Sequence, residues 1–454
     1  MENKIENNTL ETGYKQELKA GSIGIWALVA YAIAFMVPIA PMAVFGYVSN
    51  LSGGMVPLVY LVALTGMMFT AISYARMAAI FPFAGSIYNY VQRGLNPHFG
   101  FIAAWLIIAD YFLVPAVSYS FASMYMMDFV PVIPAWVWII AFVAFNTFIN
   151  VRGVSFTANA NLSIVGAQLL CLAGFLYYSI TYLINNHISI SLEPFWRSGN
   201  VHFMMITSAA SIAVFSMIGF DTISTLSEEA KDPKKNIPKA TILCLFVAGF
   251  IFLAQTYMAQ IVTPNFQNLD PDMGFYDIAQ TVGGLPLRLC LLGAMLIGLL
   301  ASAMVAQASV SRIFYSLSRD KLFPAFLGKI HPVYKTPHLA SLFIAVISII
   351  LAVFIPLSQI ITLINFGALS AYLFMNFTIF WYFYIKLKER GPVSVGRNIF
   401  LPLCGLVVIG FLWAGLNPVT KIIGLTWLVI GIIIGLVKSK GYKTVPEAFT
   451  KIEM

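Results

Sequence analysis

The stretch "FSMIGFDTISTLSEEAKDPKKNIPKA", Phe215 to Ala240, closes a run of apolar and small residues and then turns abruptly charged. Its first half reads as the end of a helix in lipid, yet Gly219 softens that helix and Asp221 sets a carboxylate beside the softening. A peptide group without a partner costs several kcal/mol in hydrocarbon, so an interruption inside a span implies a polar cavity that takes up the freed N–H and C=O groups. The charged half, Glu228 to Lys239, marks where the chain leaves the membrane.

Composition supports the membrane. Of 454 residues, 60% are hydrophobic and 10% charged, too much apolar surface for a water-soluble globule. The expected class is an all-α integral membrane protein. Its net charge of +8 is spread through short loops between apolar runs, which argues against nucleic acid as a partner and for the lipid bilayer.

A spanning helix needs about 20 apolar residues. That ruler yields twelve spans, near 23–48, 55–75, 99–129, 134–151, 157–184, 203–229, 238–263, 286–316, 338–355, 357–385, 398–416 and 419–437. The chain divides into an N-terminal tail (1–22), a ten-helix transport core (23–385), two further helices (386–437) and a C-terminal tail (438–454). With both termini in the cytoplasm, only Arg197, Arg288 and Lys421 are left outside, as the positive-inside rule favours. Met1 to Lys19 has no apolar core of a signal peptide. The longest connectors, around His187–Phe203 and Pro264–Pro286, are too short for a second domain.

A second interruption lies in the first span, "AFMVPIAPMAVFG", where Pro38 and Pro41 remove two helix donors. Five spans separate the two breaks, so they occupy matching positions if spans 1–5 and 6–10 are repeats, the arrangement of many secondary transporters. Taken singly, either break is equally a packing kink.

Ionisable residues in lipid are functional candidates. Asp110 lies about eleven residues into the third span, roughly 16 Å from its start. It suits an ammonium, a coupling proton or a structural hydrogen bond. Asp221 suits either a substrate or the N-cap of the resumed half-helix. Glu228 and Glu229 are expected to form a solvated network with Lys231, Lys234 and Lys235 that stabilises one gate state.

No enzyme signature is present. Five scattered histidines form no catalytic dyad or metal cluster, no GxSxG, HExxH or GxGxxG occurs, and no cofactor is expected. Cys171, Cys244, Cys290 and Cys404 lie inside apolar runs and support neither a disulfide framework nor a metal site.

Four stretches, "FTAISYARMAAIFPFAGSIYNYVQRGLNPHFGFIAAW", "FSMIGFDTISTLSEEAKDPKKNIPKA", "ASVSRIFYSLSRDKLFP" with "HPVYKTP", and "LINFGALSAYLFMNFTIFWYF", resemble the amino acid-polyamine-organocation superfamily of permeases, most of all bacterial putrescine importers. The likeness runs from about Ile23 to Lys438. It implies 12 transmembrane helices in a five-plus-five inverted repeat with helices 1 and 6 broken, and uptake driven by protons. It also implies that the substrate meets Ile39, Ala40, Pro41, Met42 and Ala43 in span 1, and Phe215, Ser216, Met217, Ile218 and Gly219 in span 6. N–H groups of a half-helix starting near Asp221 would face an anion, and bared carbonyls an ammonium.

Three positions qualify the resemblance. The Asp-Tyr pair of putrescine importers is present as Asp110 and Tyr111. An aspartate that they carry in span 1 is replaced by Ala43, which removes one of two acceptors for a dication. Gln168 stands where some amino-acid permeases of the superfamily have a lysine, so proton coupling falls to a carboxylate such as Asp110. Ser216, Gln307 and Asn365 are candidate polar wall groups or helix–helix hydrogen bonders.

The expected function is a symporter that imports a small amine-bearing solute, an amino acid or a polyamine such as putrescine. Spans 1, 2, 6 and 7 would rock against spans 3, 4, 8 and 9, as the resemblance suggests. An amino acid/amine exchanger fits equally, whereas a non-transporting sensor lacks a signalling domain. Sequence leaves the oligomeric state open.

Overall fold

The computed structural model describes residues 21–441 except 22, 84–85, 154–157, 198–202, 266, 268 and 320–322. Most of both expected tails therefore lies outside the described residues. The helices are α1 (Ile25–Met36), α2 (Pro41–Ser52), α3 (Val56–Ile80), α4 (Ser86–Gly94), α5 (Pro97–Phe129), α6 (Ala135–Arg152), α7 (Ala158–Asn185), α8 (Phe203–Ala213), α9 (Pro233–Val262), α10 (Gly274–Arg319), α11 (His338–Phe354), α12 (Leu357–Ile379), α13 (Pro392–Val395), α14 (Leu401–Ala414) and α15 (Pro418–Lys438).

Ten helical stretches are long and apolar enough to cross a membrane, or eleven if the bent pair α1 and α2 is one span; α11 is apolar but shorter. This is a multi-pass membrane protein. Proline opens α2, α5, α9 and α15, where its missing N–H would be unsatisfied anyway. Asn96 and Asn417 cap α5 and α15 by accepting from backbone N–H groups.

Polarity is inverted relative to a soluble bundle. On α11 the exposed stripe is Leu342, Val346, Ile350 and Val353, while Ala340, Ser341, Ala345 and Ser348 pack inward. Small residues let helices approach closely, which is where membrane bundles gain their packing energy. α15 docks on α5 through Trp105 and Trp427, stacked at 4.4 Å, each indole N–H donating to the other's backbone carbonyl.

The fold differs from expectation in two places. The connector Pro264–Pro286 holds the first part of α10, which is kinked at Gly284 (φ 72°). α4, almost wholly buried, occupies the loop between the second and third expected spans. Cys171 and Cys290, widely separated in sequence, bring their sulfurs to 2.9 Å as free thiols.

Both expected breaks occur. Between α1 and α2 the axis turns by 54°. Val37 takes the strain there, at φ 58°, a left-handed conformation that is costly for a β-branched residue. In the other broken span α8 gives way to 3-10 turns over Val214–Met217, an extended Ile218, Gly219 at φ 121° and further 3-10 turns over Phe220–Leu226. Thr222, Ser224, Thr225 and Ser227 each donate their hydroxyl to the carbonyl three residues back, at 2.6 to 2.7 Å, which tightens the coil.

Candidate functional site

The two breaks meet. A Cβ placed on Gly219 would strike the Phe35 ring, so only glycine lets the second break rest against the end of α1. The freed carbonyls of the first break are largely taken up by neighbours. Ser302 of α10 donates to Phe35 O at 2.6 Å, and Gln255 of α9 donates to Pro38 O at 3.0 Å. Ala40 N closes a turn onto Val37 O at 2.8 Å.

Beside this junction is a small chamber of about 30 Å³, walled by Phe35, Met36, Val37, Ala40, Ala43, Val114, Ser118, Phe121, Phe215, Ile218, Met295, Leu299 and Ser302. Ala43 and Phe121 also wall a second cavity of about 300 Å³, with Tyr47, Met124, Ile361 and Asp272. These two residues form the partition between chamber and vestibule. Walls of this kind reward each buried methylene by about 0.8 kcal/mol and penalise an unpaired ammonium by several.

The carboxylates lie outside the chamber lining. Phe35 walls the chamber and meets Tyr111 edge-on, with ring centroids 5.9 Å apart. Tyr111 donates to Asp221 Oδ2 at 2.7 Å, and Tyr372 of α12 donates to Asp221 Oδ1 at 3.2 Å. Asp221 is therefore no N-cap: Gly219 holds that position without a side-chain cap, and the carboxylate is engaged by two phenols. The resumed segment that was to aim N–H groups at an anion is 3-10 coil. Asp110 is fully buried, and neither of its oxygens has a hydrogen-bond partner among the described residues. It adjoins Tyr111 in sequence, and Tyr111 reaches Asp221.

Of the expected site residues, Ala40, Ala43, Phe215 and Ile218 wall the chamber, whereas Ile39, Met42, Asp110, Tyr111, Ser216, Gly219, Asp221, Gln307 and Asn365 do not. Ser216 pairs with Tyr60 at 2.9 Å, and Asn365 donates to Ser211 O. Gln307 bonds Thr147, Asn150 and Ser341 O, stitching α6, α10 and α11. Gln168 donates to Ala294 O, fastening α7 to α10 with an uncharged amide. Sequence reasoning missed Val114, Ser118 and Phe121. Their spacing from Tyr111, at i+3, i+7 and i+10, puts them on one face of α5 and would have found them.

At the end of the bundle away from the vestibule, Ile23 bridges Ala230, with Ile23 N donating to Glu229 O at 3.0 Å and Lys231 N to Ile23 O at 2.8 Å. Glu229 pairs with Arg312 of α10 at 3.3 Å rather than with the neighbouring lysines expected from sequence. Tyr31 and Ser309 add a hydroxyl pair at 2.9 Å. No group of three or more metal-ligating side chains occurs among the described residues.

Membrane-length helices with two broken spans around a buried cavity define a solute permease. The chain belongs to the amino acid permease family, whose pattern it matches over residues 27–431. It is a transport protein, not an enzyme. It is 36% identical over 427 residues to the low-affinity putrescine importer PlaP of Escherichia coli (strain K12), covering 92% of this chain and 94% of that protein. It is 28% identical over 413 residues to the branched-chain amino acid permease BcaP of Bacillus subtilis (strain 168), covering 84% and 85%. To the methylthioribose transporter of the same organism it is 25% identical over 407 residues, covering 82% of each.

Proposed function

We propose that this protein is a secondary transporter of the cell membrane that imports a small amine-bearing solute, an amino acid or a polyamine, in symport with protons. Its twelve crossings count α11 as a short span, both termini lie in the cytoplasm, and the first ten spans form two inverted halves. The observation that carries the proposal is the meeting of Gly219 and Phe35, which brings the two interruptions to one buried chamber. The names of the relatives, a putrescine importer and a branched-chain amino acid permease, support an amine-bearing cargo.

Asp110 is the proposed proton carrier. Its carboxyl is fully buried with no hydrogen-bond partner among the described residues, and taking up a proton removes the cost of holding a charge there. The test is uptake into proteoliposomes with an alkaline interior, using labelled amino acids and putrescine. Accumulation that collapses with the pH gradient, and that is lost in folded Asp110→Asn protein, is the expected result. Normal accumulation by the variant would refute the role of this carboxylate.

A further inference from the structure

Two thiols meet on the lipid-facing flank of the bundle. Cys171 of α7 and Cys290 of α10, 119 positions apart in sequence, hold their sulfurs at 2.9 Å as free cysteines. A small side-chain rotation converts such a contact into a bond. The two helices are held in register on both sides of the pair: Gln168 donates to Ala294 O at 3.1 Å, and Gly174 packs beside Leu287. No other two cysteines are paired among the described residues, and the buried Cys244 gives its thiol to Thr241 O.

Access is from the lipid. Cys290 is exposed beside Leu289, on a side of α10 that also shows Leu285 and Ile297, and Leu170, next to Cys171, is exposed on α7. An oxidant that dissolves in the bilayer reaches Cys290 first, with Cys171 behind it as the resolving thiol. With a hydroperoxide, the Cys290 sulfur attacks the outer oxygen, the O–O bond breaks, an alcohol leaves with the thiol proton, and Cys290 becomes a sulfenic acid. The Cys171 sulfur then displaces the hydroxyl, which leaves as water with the second thiol proton. Two thiols and one hydroperoxide give one disulfide, one alcohol and one water.

The same seam touches the first break. About two turns further along α10, a Cβ on Gly298 would strike both Gln168 and Val37. α7 and α10 thus form the slot in which the strained Val37 rests, and a bond between them fixes the width of that slot.

We propose that Cys171 and Cys290 are a reversible oxidation site, at which a lipid-soluble hydroperoxide staples α7 to α10 and slows transport. The effect on uptake rests on the proposed transport function; the cross-link itself does not.

The test treats the purified full chain in lipid nanodiscs with tert-butyl hydroperoxide, at a dose that oxidises the exposed Met204 to its sulfoxide. After denaturation and alkylation, mass spectrometry is expected to find Cys171 and Cys290 joined and two hydrogens lighter, with Cys244 and Cys404 alkylated. Tm should exceed that of Cys290→Ser treated alike, and dithiothreitol should restore both thiols. In Cys171→Ser, Cys290 should stand as a sulfenic acid that dimedone traps. Uptake of labelled leucine or putrescine into proteoliposomes should slow at least twofold on oxidation and recover with dithiothreitol, and Cys290→Ser should not slow. Sulfoxide at Met204 with both thiols still alkylated, or sulfonic acids without a cross-link, overturns the site. A cross-link that leaves uptake unchanged overturns the brake on transport. Absence of uptake of either solute by the reduced protein counts against the transport function, while the cross-link still decides the site.

Discussion

Tyr111 of α5 donates its hydroxyl to Asp221 at 2.7 Å across 110 positions of sequence, joining the long central helix to the broken one. The same carboxylate takes a second, longer bond from Tyr372 at 3.2 Å. Asp221 is thus a junction of three elements. Asp110, next to Tyr111 in sequence, is left without a partner among the described residues.

Removing the shorter bond should matter more than removing the longer one. A hydrogen bond to a charged group is worth about 1.5–3 kcal/mol, so Tyr111→Phe is expected to slow uptake by roughly 10- to 100-fold. Tyr372→Phe should lose less. Initial uptake rates in proteoliposomes decide this, and equal losses would contradict the ranking read from the distances.

Gly219→Ala should destabilise for two separable reasons. The left-handed backbone costs about 1–3 kcal/mol for a residue with a Cβ, and that Cβ strikes the Phe35 ring. Adding Phe35→Leu relieves the clash and leaves the backbone strain, so the double variant should recover part of the lost Tm. No recovery at all would show that the ring contact is not the obstacle.

The Glu229–Arg312 pair is partly exposed, and such pairs contribute about 0–1 kcal/mol. Glu229→Gln is therefore expected to leave global stability nearly unchanged. Hydrogen–deuterium exchange over Ile25–Met36 should nevertheless rise a few-fold, because the pair helps to close that end of the bundle. The charge swap Glu229→Arg with Arg312→Glu should restore protection, and an unaltered exchange pattern in Glu229→Gln would remove the closing role.

Asp272 supplies a pH dependence. Burial at the vestibule, reinforced by Asp270, holds its carboxyl above the ordinary range. Once pH exceeds the ordinary value of about 3.9, the unfolded chain has released a proton that the folded chain still holds. Stability from this group therefore falls as pH rises toward the folded value, and the deficit persists at neutral pH. Asp272→Asn should raise Tm slightly at pH 7 and not at pH 3. A variant that tracks the wild type at both pH values would show that the carboxyl is not strained by folding.

Much of the fold was legible because lipid imposes a simple rule. Every polar peptide group must be satisfied inside the segment, so apolar runs of the right length read as helices. Pro38, Pro41 and Gly219 announced the breaks for the same reason. The details were not legible. The strained residue is Val37, which carries no sequence mark, and the 3-10 coil after Gly219 is accompanied by four hydroxyl-to-carbonyl bonds that no single residue announces.

The site was legible only where polarity drew attention to it. Gln307 and Asn365 stood out as amides in apolar helices, yet they hold helices together. The residues that wall the chamber are apolar and look like any other core. Asp221 was visible from the start, but its phenol partners come from α5 and α12, and no local pattern reports a contact so distant in sequence.

The first break is clipped from outside its own helix. Ser302 grips the end of α1 from α10, while Gln255 grips Pro38 from α9. Each of these two bonds is worth roughly 1 kcal/mol net. The joint between the two half-helices is thus tied to its surroundings by side chains rather than by its own backbone ladder.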